Sequence, residues 1–150
     1  MSSIQIHPAV DSDIESLADL LYLLFTQESD FKPDRNKQIK GLQLIIHNPD
    51  RGFILVAKDG QSIAGMVSVL KLISTAEGGE VGLLEDMIVH PDYQRMGIGS
   101  QLIKEAMKLS GKQKLTRLTL LTDKTNKKAI DFYVKHGFNK SEMIPLRRAI

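Results

Sequence analysis

One stretch limits what the rest of the chain can be. Residues Val81–Val89 carry Leu83, Leu84, Met87, Ile88 and Val89, a nearly continuous apolar run that reads as a strand buried on both faces. His90-Pro91-Asp92 ends it, because proline cannot donate to a sheet ladder and turns its predecessor away from helical geometry. From Ile98 the apolar residues recur at Leu102, Ile103, Ala106, Met107 and Leu109, the spacing of one helical face, and Gly111 is the expected left-handed cap. Between strand and helix stands Gln94-Arg95-Met96-Gly97-Ile98-Gly99. Glycines at the mouth of a helix let a ligand come close to the backbone, and the first amides of a helix have no carbonyl partner. Such a turn favours an anion, phosphate above all, through hydrogen bonds and the helix dipole together.

Two common phosphate turns do not fit. No GxxxxGK[ST] string occurs, which excludes a P-loop. A dinucleotide fold needs GxGxxG in its first strand-helix unit, whereas this turn lies past the middle of the chain and position 102 is Leu.

Around this unit the pattern is that of a mixed sheet. Ile4-Gln5-Ile6 reads as a short strand ended by His7-Pro8. A helix follows, capped by Asp11 or Ser12, with Ile14, Leu17, Ala18, Leu21, Leu24 and Phe25 as its apolar stripe. Pro33 opens a second helix near Arg35 that buries Leu42, Ile45 and Ile46 and stops at Asn48-Pro49-Asp50. Phe53–Ala57 and Ile63–Ser74 form a strand pair about the turn Asp59-Gly60, and Gly65 marks a bulge or a close approach. The turn Ala76-Glu77-Gly78-Gly79 leads into the central strand. After the central helix, Leu118–Leu121 is a strand parallel to the central one. Asn126–His136 is the last helix, Phe138–Pro145 is expected as an edge strand, and Arg147-Arg148 as an exposed tail. A meander followed by a crossover gives an α/β fold with a mixed, α+β-like central sheet flanked by about four helices, read as one domain over residues 1–150.

Composition narrows the function. A net charge of +2 from 20 basic and 18 acidic residues is too balanced to argue for nucleic acid. The basic run Lys108–Lys114 reads as the solvated end of a helix. With no cysteine, disulfides, thiolate metal sites and an acyl-cysteine intermediate are excluded. His7, His47, His90 and His136 lack ligand spacing, so no metal is expected. No apolar run approaches the roughly 20 residues of a membrane span, and the N-terminus lacks the pattern of a secretory signal. A cytoplasmic protein is the expectation, with no membrane partner. Asn139-Lys140-Ser141 is accordingly read as a chance glycosylation pattern.

The turn Gln94-Arg95-Met96-Gly97-Ile98-Gly99 resembles the [QR]xxGx[GA] signature of the GCN5-related N-acetyltransferases, the GNAT family. The segment NKKAIDFYVKHGF, Asn126–Phe138, resembles that family's later coenzyme-binding block, N..A..FY...GF. The two blocks stand in the family's order, separated by a helix and a strand. The resemblance implies a GNAT-like acyl-CoA N-acyltransferase fold and acetyl transfer from acetyl-CoA directly to a primary amine in a ternary complex. It leaves open a non-catalytic coenzyme A sensor of the same fold, and a homodimer.

Residue by residue, the resemblance puts the coenzyme's pyrophosphate on the amides of Arg95, Met96, Gly97, Ile98, Gly99 and Ser100. It puts the pantetheine arm along Met87, Ile88 and Val89. Asn126 matches the position that meets the arm, and it also reads as a plain helix cap. Tyr133 matches the tyrosine whose hydroxyl faces the coenzyme sulfur. A phenol is protonated at neutral pH and can donate to a forming thiolate, and the competing reading is a packed aromatic beside Phe132. Glu85 is the candidate base, directly or through water, unless the amine arrives neutral. Strand alternation sends Glu85 and Asp86 to opposite faces. Leu84-Glu85-Asp86-Met87-Ile88-Val89 resembles the IEDxxV stretch of glucosamine-6-phosphate acetyltransferases. No GxSxG elbow supports a covalent serine route. The acceptor is a small-molecule or peptide amine, and neither it nor the acyl chain length is legible.

Overall fold

A computed structural model describes residues 3–28 and 30–150. Five strands form one sheet in chain order, β1 (Ile4–Pro8), β2 (Gly52–Asp59), β3 (Ser62–Ser74), β4 (Gly79–Val89) and β5 (Leu118–Leu120). The first four are antiparallel neighbours, and β5 lies parallel to β4. Helices α1 (Ile14–Gln27) and α2 (Arg35–Ile46) precede the β2–β3–β4 meander, α3 (Ile98–Lys112) makes the β4-to-β5 crossover, and α4 (Lys127–Lys135) follows. The mixed sheet with four helices matches the sequence reading. No helix among the described residues is long and apolar enough to cross a membrane.

The sheet has a core on each face, because its strands alternate. On one face Leu55, Ala57, Val67, Val69 and Leu84 meet Ile98, Leu102, Ile103 and Ala106 of α3. On the other, Ile54, Val56, Met66 and Ile88 meet Leu17, Ala18, Leu20 and Leu21 of α1 and Leu42 of α2. Ile45 and Ile46 are only half-buried, so Leu42 carries the seat of α2.

Two irregularities matter. Gly65 pairs with Ala57 and Ile63 with Lys58, so β3 carries one extra residue there, beside the glycine. A Cβ on Gly65 would stand 3.0 Å from the Ile88 carbonyl oxygen, which is why this position needs glycine. The second lies in β4. Val67 pairs with Met87 and Val69 with Leu84, so Glu85 and Asp86 both stand opposite Ser68. That is a β-bulge, and bulges re-aim side chains next to functional sites.

Several local expectations change. Asp13, rather than Asp11 or Ser12, caps the α1 region, within a 3-10 turn at Asp11–Asp13. Its buried carboxylate accepts from the Val10 amide at 2.9 Å and pairs with Lys58 at 2.7 Å, which pins the start of α1 to β2. Gly111 stays helical, and the left-handed residue after α3 is Lys114, at φ 64°. Phe138–Pro145 forms no strand. Arg147 is not a free tail residue, because its guanidinium donates to Asp30 at 2.7 Å and lies 5.3 Å over the Phe31 ring.

Candidate active site

The site begins where the sheet comes apart. Gly82, Leu83 and Leu84 of β4 pair with Leu118, Thr119 and Leu120 of β5, and there the ladder ends. Beyond it Met87, Ile88 and Val89 are paired with β3 only, and among the described residues no strand lies beside the β5-facing edge of residues 85–89. An extended chain of amide groups fits such an edge as an added strand. At the end of β4, Pro91–Tyr93 form a 3-10 turn, and the Tyr93 hydroxyl donates to Asp59 at 3.0 Å. The chain then passes through Arg95 at φ 64° and Gly97 at φ 76° into α3. Among the described residues, the amides of Arg95 to Ser100 have no backbone acceptor, and Gln101 N is the first to find one, Gly97 O at 3.1 Å.

The turn faces outward, since Arg95, Met96 and Gly97 are exposed, whereas the Ile98 side chain is buried in the core and offers only its amide. A Cβ on Gly99 would meet Phe132 at 3.4 Å and Met87 at 3.6 Å, so this glycine is where turn, β4 and α4 converge. Six orphan amides at a helix entrance, continuous with an unpaired strand edge, suit a diphosphate joined to an amide-bearing arm. The residues present therefore fit coenzyme A.

Across the gap lies a cleft of about 190 Å³ that brings together Glu85 and Met87 of β4, Asn126 and Tyr133 of the α4 region, and Glu28, Asp30 and Arg147. Asn126 caps α4, its side-chain oxygen accepting from the Ala129 amide at 3.1 Å, and it also lines the cleft. Tyr133 packs edge-on against Phe132, with ring centroids 5.2 Å apart, and against Phe138 at 5.7 Å. Its hydroxyl has no hydrogen-bond partner among the described residues. Burial first, then the negative charge of Glu28, pushes its pKa up to about 12. Ile88 does not join the cleft, because its side chain packs among α1 and α2 residues.

The two acidic neighbours part at the bulge. Glu85 is exposed and lines the cleft. Asp86 turns to the α1–α2 side, where its backbone amide donates to the Ser68 hydroxyl at 3.1 Å. Burial, then repulsion from Glu85 and Glu28, raises its pKa from 3.8 to about 7, against a lowering by the Ser68 hydrogen bond. The sequence reading assigned no role to Glu28. Burial, then Asp123, Glu85 and Asp30, raise its pKa, while Arg147 lowers it. Nothing in the spacing of the first helix marks Glu28, since it meets Glu85 only through the tertiary fold.

A bulged strand that parts from its parallel neighbour, followed by a helix with an open amide entrance, is the acyl-CoA N-acyltransferase arrangement. The chain belongs to the Acetyltransferase (GNAT) family, whose model matches residues 14–138. An uncharacterized N-acetyltransferase of Methanocaldococcus jannaschii is 27% identical over 134 residues, covering 87% of this chain. The chain spans 59% of that protein's length. Among solved structures, a transcriptional regulator from Bacillus halodurans C-125 superposes with a TM-score of 0.83 at 26% identity, covering 99% of this chain and 100% of the other. The aminoglycoside N-acetyltransferase AAC(6')-Iy in complex with CoA superposes with a TM-score of 0.84 at 16% identity, covering 99% of this chain and 96% of the other, a likeness of fold.

Proposed function

We propose that residues 1–150 act as one N-acetyltransferase domain that moves an acetyl group from acetyl-CoA to a primary amine, both held together in a ternary complex. The observation that carries this is the single cleft where the unpaired β4 edge, the Tyr133 hydroxyl and Glu85 meet. The amides of Arg95, Met96, Gly97, Ile98, Gly99 and Ser100 hold the diphosphate. Met87, Ile88 and Val89 offer their main chain to the pantetheine arm, with Asn126 beside it.

The amine nitrogen bonds to the thioester carbonyl carbon, the carbon–sulfur bond breaks, and the proton lost by the nitrogen balances the thiolate. Tyr133 donates a hydrogen bond to that sulfur. A phenol near 12 is a weaker acid than a thiol near about 8.5, so it shares its proton with the thiolate rather than surrendering it. Glu85 takes the amine proton, directly or through water. Glu28, whose pKa is raised by burial first and then by its acidic neighbours, lines the same cleft and is a candidate to receive that proton in turn.

The test is thiol release from acetyl-CoA across a panel of amines, run on the natural protein and on Tyr133→Phe. We expect one amine class to raise thiol release, and Tyr133→Phe, which removes one hydrogen-bond donor to the developing thiolate, to lower turnover by about a hundredfold with coenzyme A affinity nearly intact. Tight coenzyme binding with no amine-dependent thiol release would instead favour the sensor.

A further inference from the structure

Ser68, in the middle of β3, is fully buried and has no part in the acetyl-transfer reading so far. Its side chain faces the α1–α2 side of the sheet. There Leu21 and Phe25 of α1 and Leu42 and Ile45 of α2 wall a cavity of about 240 Å³, with Ser68 and Asp86 at its base. A hydroxyl at the foot of an apolar cavity is costly unless it is hydrogen-bonded. Among the described residues, both of its hydrogen bonds go to Asp86. The Ser68 hydroxyl accepts from the Asp86 amide at 3.1 Å and donates, at 3.5 Å, to the Asp86 carboxylate.

What the shorter bond fastens is the bulge in β4. Strict alternation from Leu84 on the α3 side would send Glu85 and Met87 together to the α1–α2 side. With Glu85 and Asp86 both opposite Ser68, the extra residue returns Met87 to the α3 core beside Leu84 and leaves Glu85 lining the cleft. A bulge takes one residue out of the ladder, so its shape needs a further fastening. The Ser68 side chain supplies that fastening from the partner strand.

We propose that Ser68 is a positioning residue for acetyl transfer, its hydroxyl pinning the Asp86 amide and so holding the β4 bulge that keeps the Glu85 carboxylate in the cleft. The assignment rests on the acetyl-transfer reading above. Ser68 lines the cavity on the other face of the sheet and not the cleft, so it acts through Glu85 and touches neither acceptor nor coenzyme. Met87, Ile88 and Val89 keep their own pairs with β3 beyond the bulge, which leaves the edge for the pantetheine arm in place. The effect of Ser68 therefore falls on the transfer of the amine proton, in kcat, rather than on the KM for acetyl-CoA.

The test joins thiol release, with the amine of the panel above that raises it most, to amide exchange followed by NMR, both on the full chain. Ser68→Ala should lower kcat by about tenfold while the KM for acetyl-CoA stays within about twofold. Ser68→Thr keeps the hydroxyl and has room for its methyl in the cavity, so it should restore kcat. Added to Glu85→Gln, Ser68→Ala should cost less than about twofold more, because both changes act through one group. Exchange reads the pin without any chemistry. Measured against the Val56 amide in the middle of the sheet, the Asp86 amide should exchange about tenfold faster in Ser68→Ala than in the natural protein. Unaltered Asp86 exchange, or the full loss of kcat on top of Glu85→Gln, overturns the assignment. The two readings fail separately. Thiol release by the natural protein that Ser68→Ala leaves alone sinks the role of Ser68 and keeps the transferase. Faster Asp86 exchange in Ser68→Ala, with no amine-dependent thiol release from the natural protein, keeps the pinned bulge and sinks the transfer.

Discussion

Asp86 offers a sharp test of the electrostatics at the bulge. Its carboxyl titrates near 7 in the folded chain against an ordinary value of 3.8, chiefly because burial penalises the charge. Between those two values the folded state binds the proton more tightly than the unfolded one, so stability falls as pH rises through the window and levels off above about 7. A shift of roughly three units corresponds to at most about 4 kcal/mol. Asp86→Asn keeps the shape and the backbone bond to Ser68 but cannot ionise. The variant should therefore be more stable than the natural protein in alkali, with the advantage shrinking in acid. Urea unfolding of both proteins measures the difference directly. The gap should widen by about 3 kcal/mol between about pH 5 and about pH 8, since roughly two units of the window lie above pH 5. A gap that stays constant within about 0.5 kcal/mol would mean that Asp86 ionises as if in water, and the account of the α1–α2 cavity as a dry site would be wrong.

Other perturbations test the scaffold and the turn. Leu102→Ala removes a fully buried side chain from the α3–sheet core and should cost about 2–5 kcal/mol by urea unfolding, and a loss under about 1 kcal/mol would mean that this core is loosely packed. Gly97→Ala puts a side chain on a left-handed residue at φ 76° with free space around it. The strain alone, about 1–2 kcal/mol, should weaken coenzyme A binding by about tenfold in calorimetry if the turn must keep this shape to bind, and unchanged affinity would refute that requirement. Tyr93→Phe cuts the bond from the turn before α3 to Asp59. It should raise KM for acetyl-CoA by about threefold with kcat unaltered, and a fall in kcat alone would contradict a positioning role.

The central strand, turn and helix were legible because their signals are local. Proline at 91, glycine at 97 and the helical apolar stripe Ile98, Leu102, Ile103 and Ala106 each act over a few residues and appear where expected, whereas Met107 of that stripe is exposed. The bulge in β4 was not legible, since the count that creates it depends on pairing with β3. Alternation alone does separate Glu85 from Asp86. It does not reveal that the strongly shifted carboxyl is Asp86, because that depends on the vault built by α1 and α2. Glu28 and Arg147 were missed for the same reason, as they reach the cleft from opposite ends of the chain. The Gly111 cap failed by three residues, with Lys114 taking the left-handed position instead. Phe138–Pro145, expected as an edge strand, does not continue the sheet beyond β5, and its Asn139, Lys140, Glu142 and Pro145 are residue types that strands disfavour.

The central claim is that one continuous groove, from the α3 entrance to the Tyr133 hydroxyl, holds the acetyl donor. A crystal structure of the protein with coenzyme A tests it most directly. We expect diphosphate oxygens within about 3 Å of the amides of Arg95 to Ser100, the arm alongside Met87 to Val89, and the sulfur facing Tyr133. Coenzyme A seated on another surface, with the β4 edge and the α3 amides still bare, would contradict it.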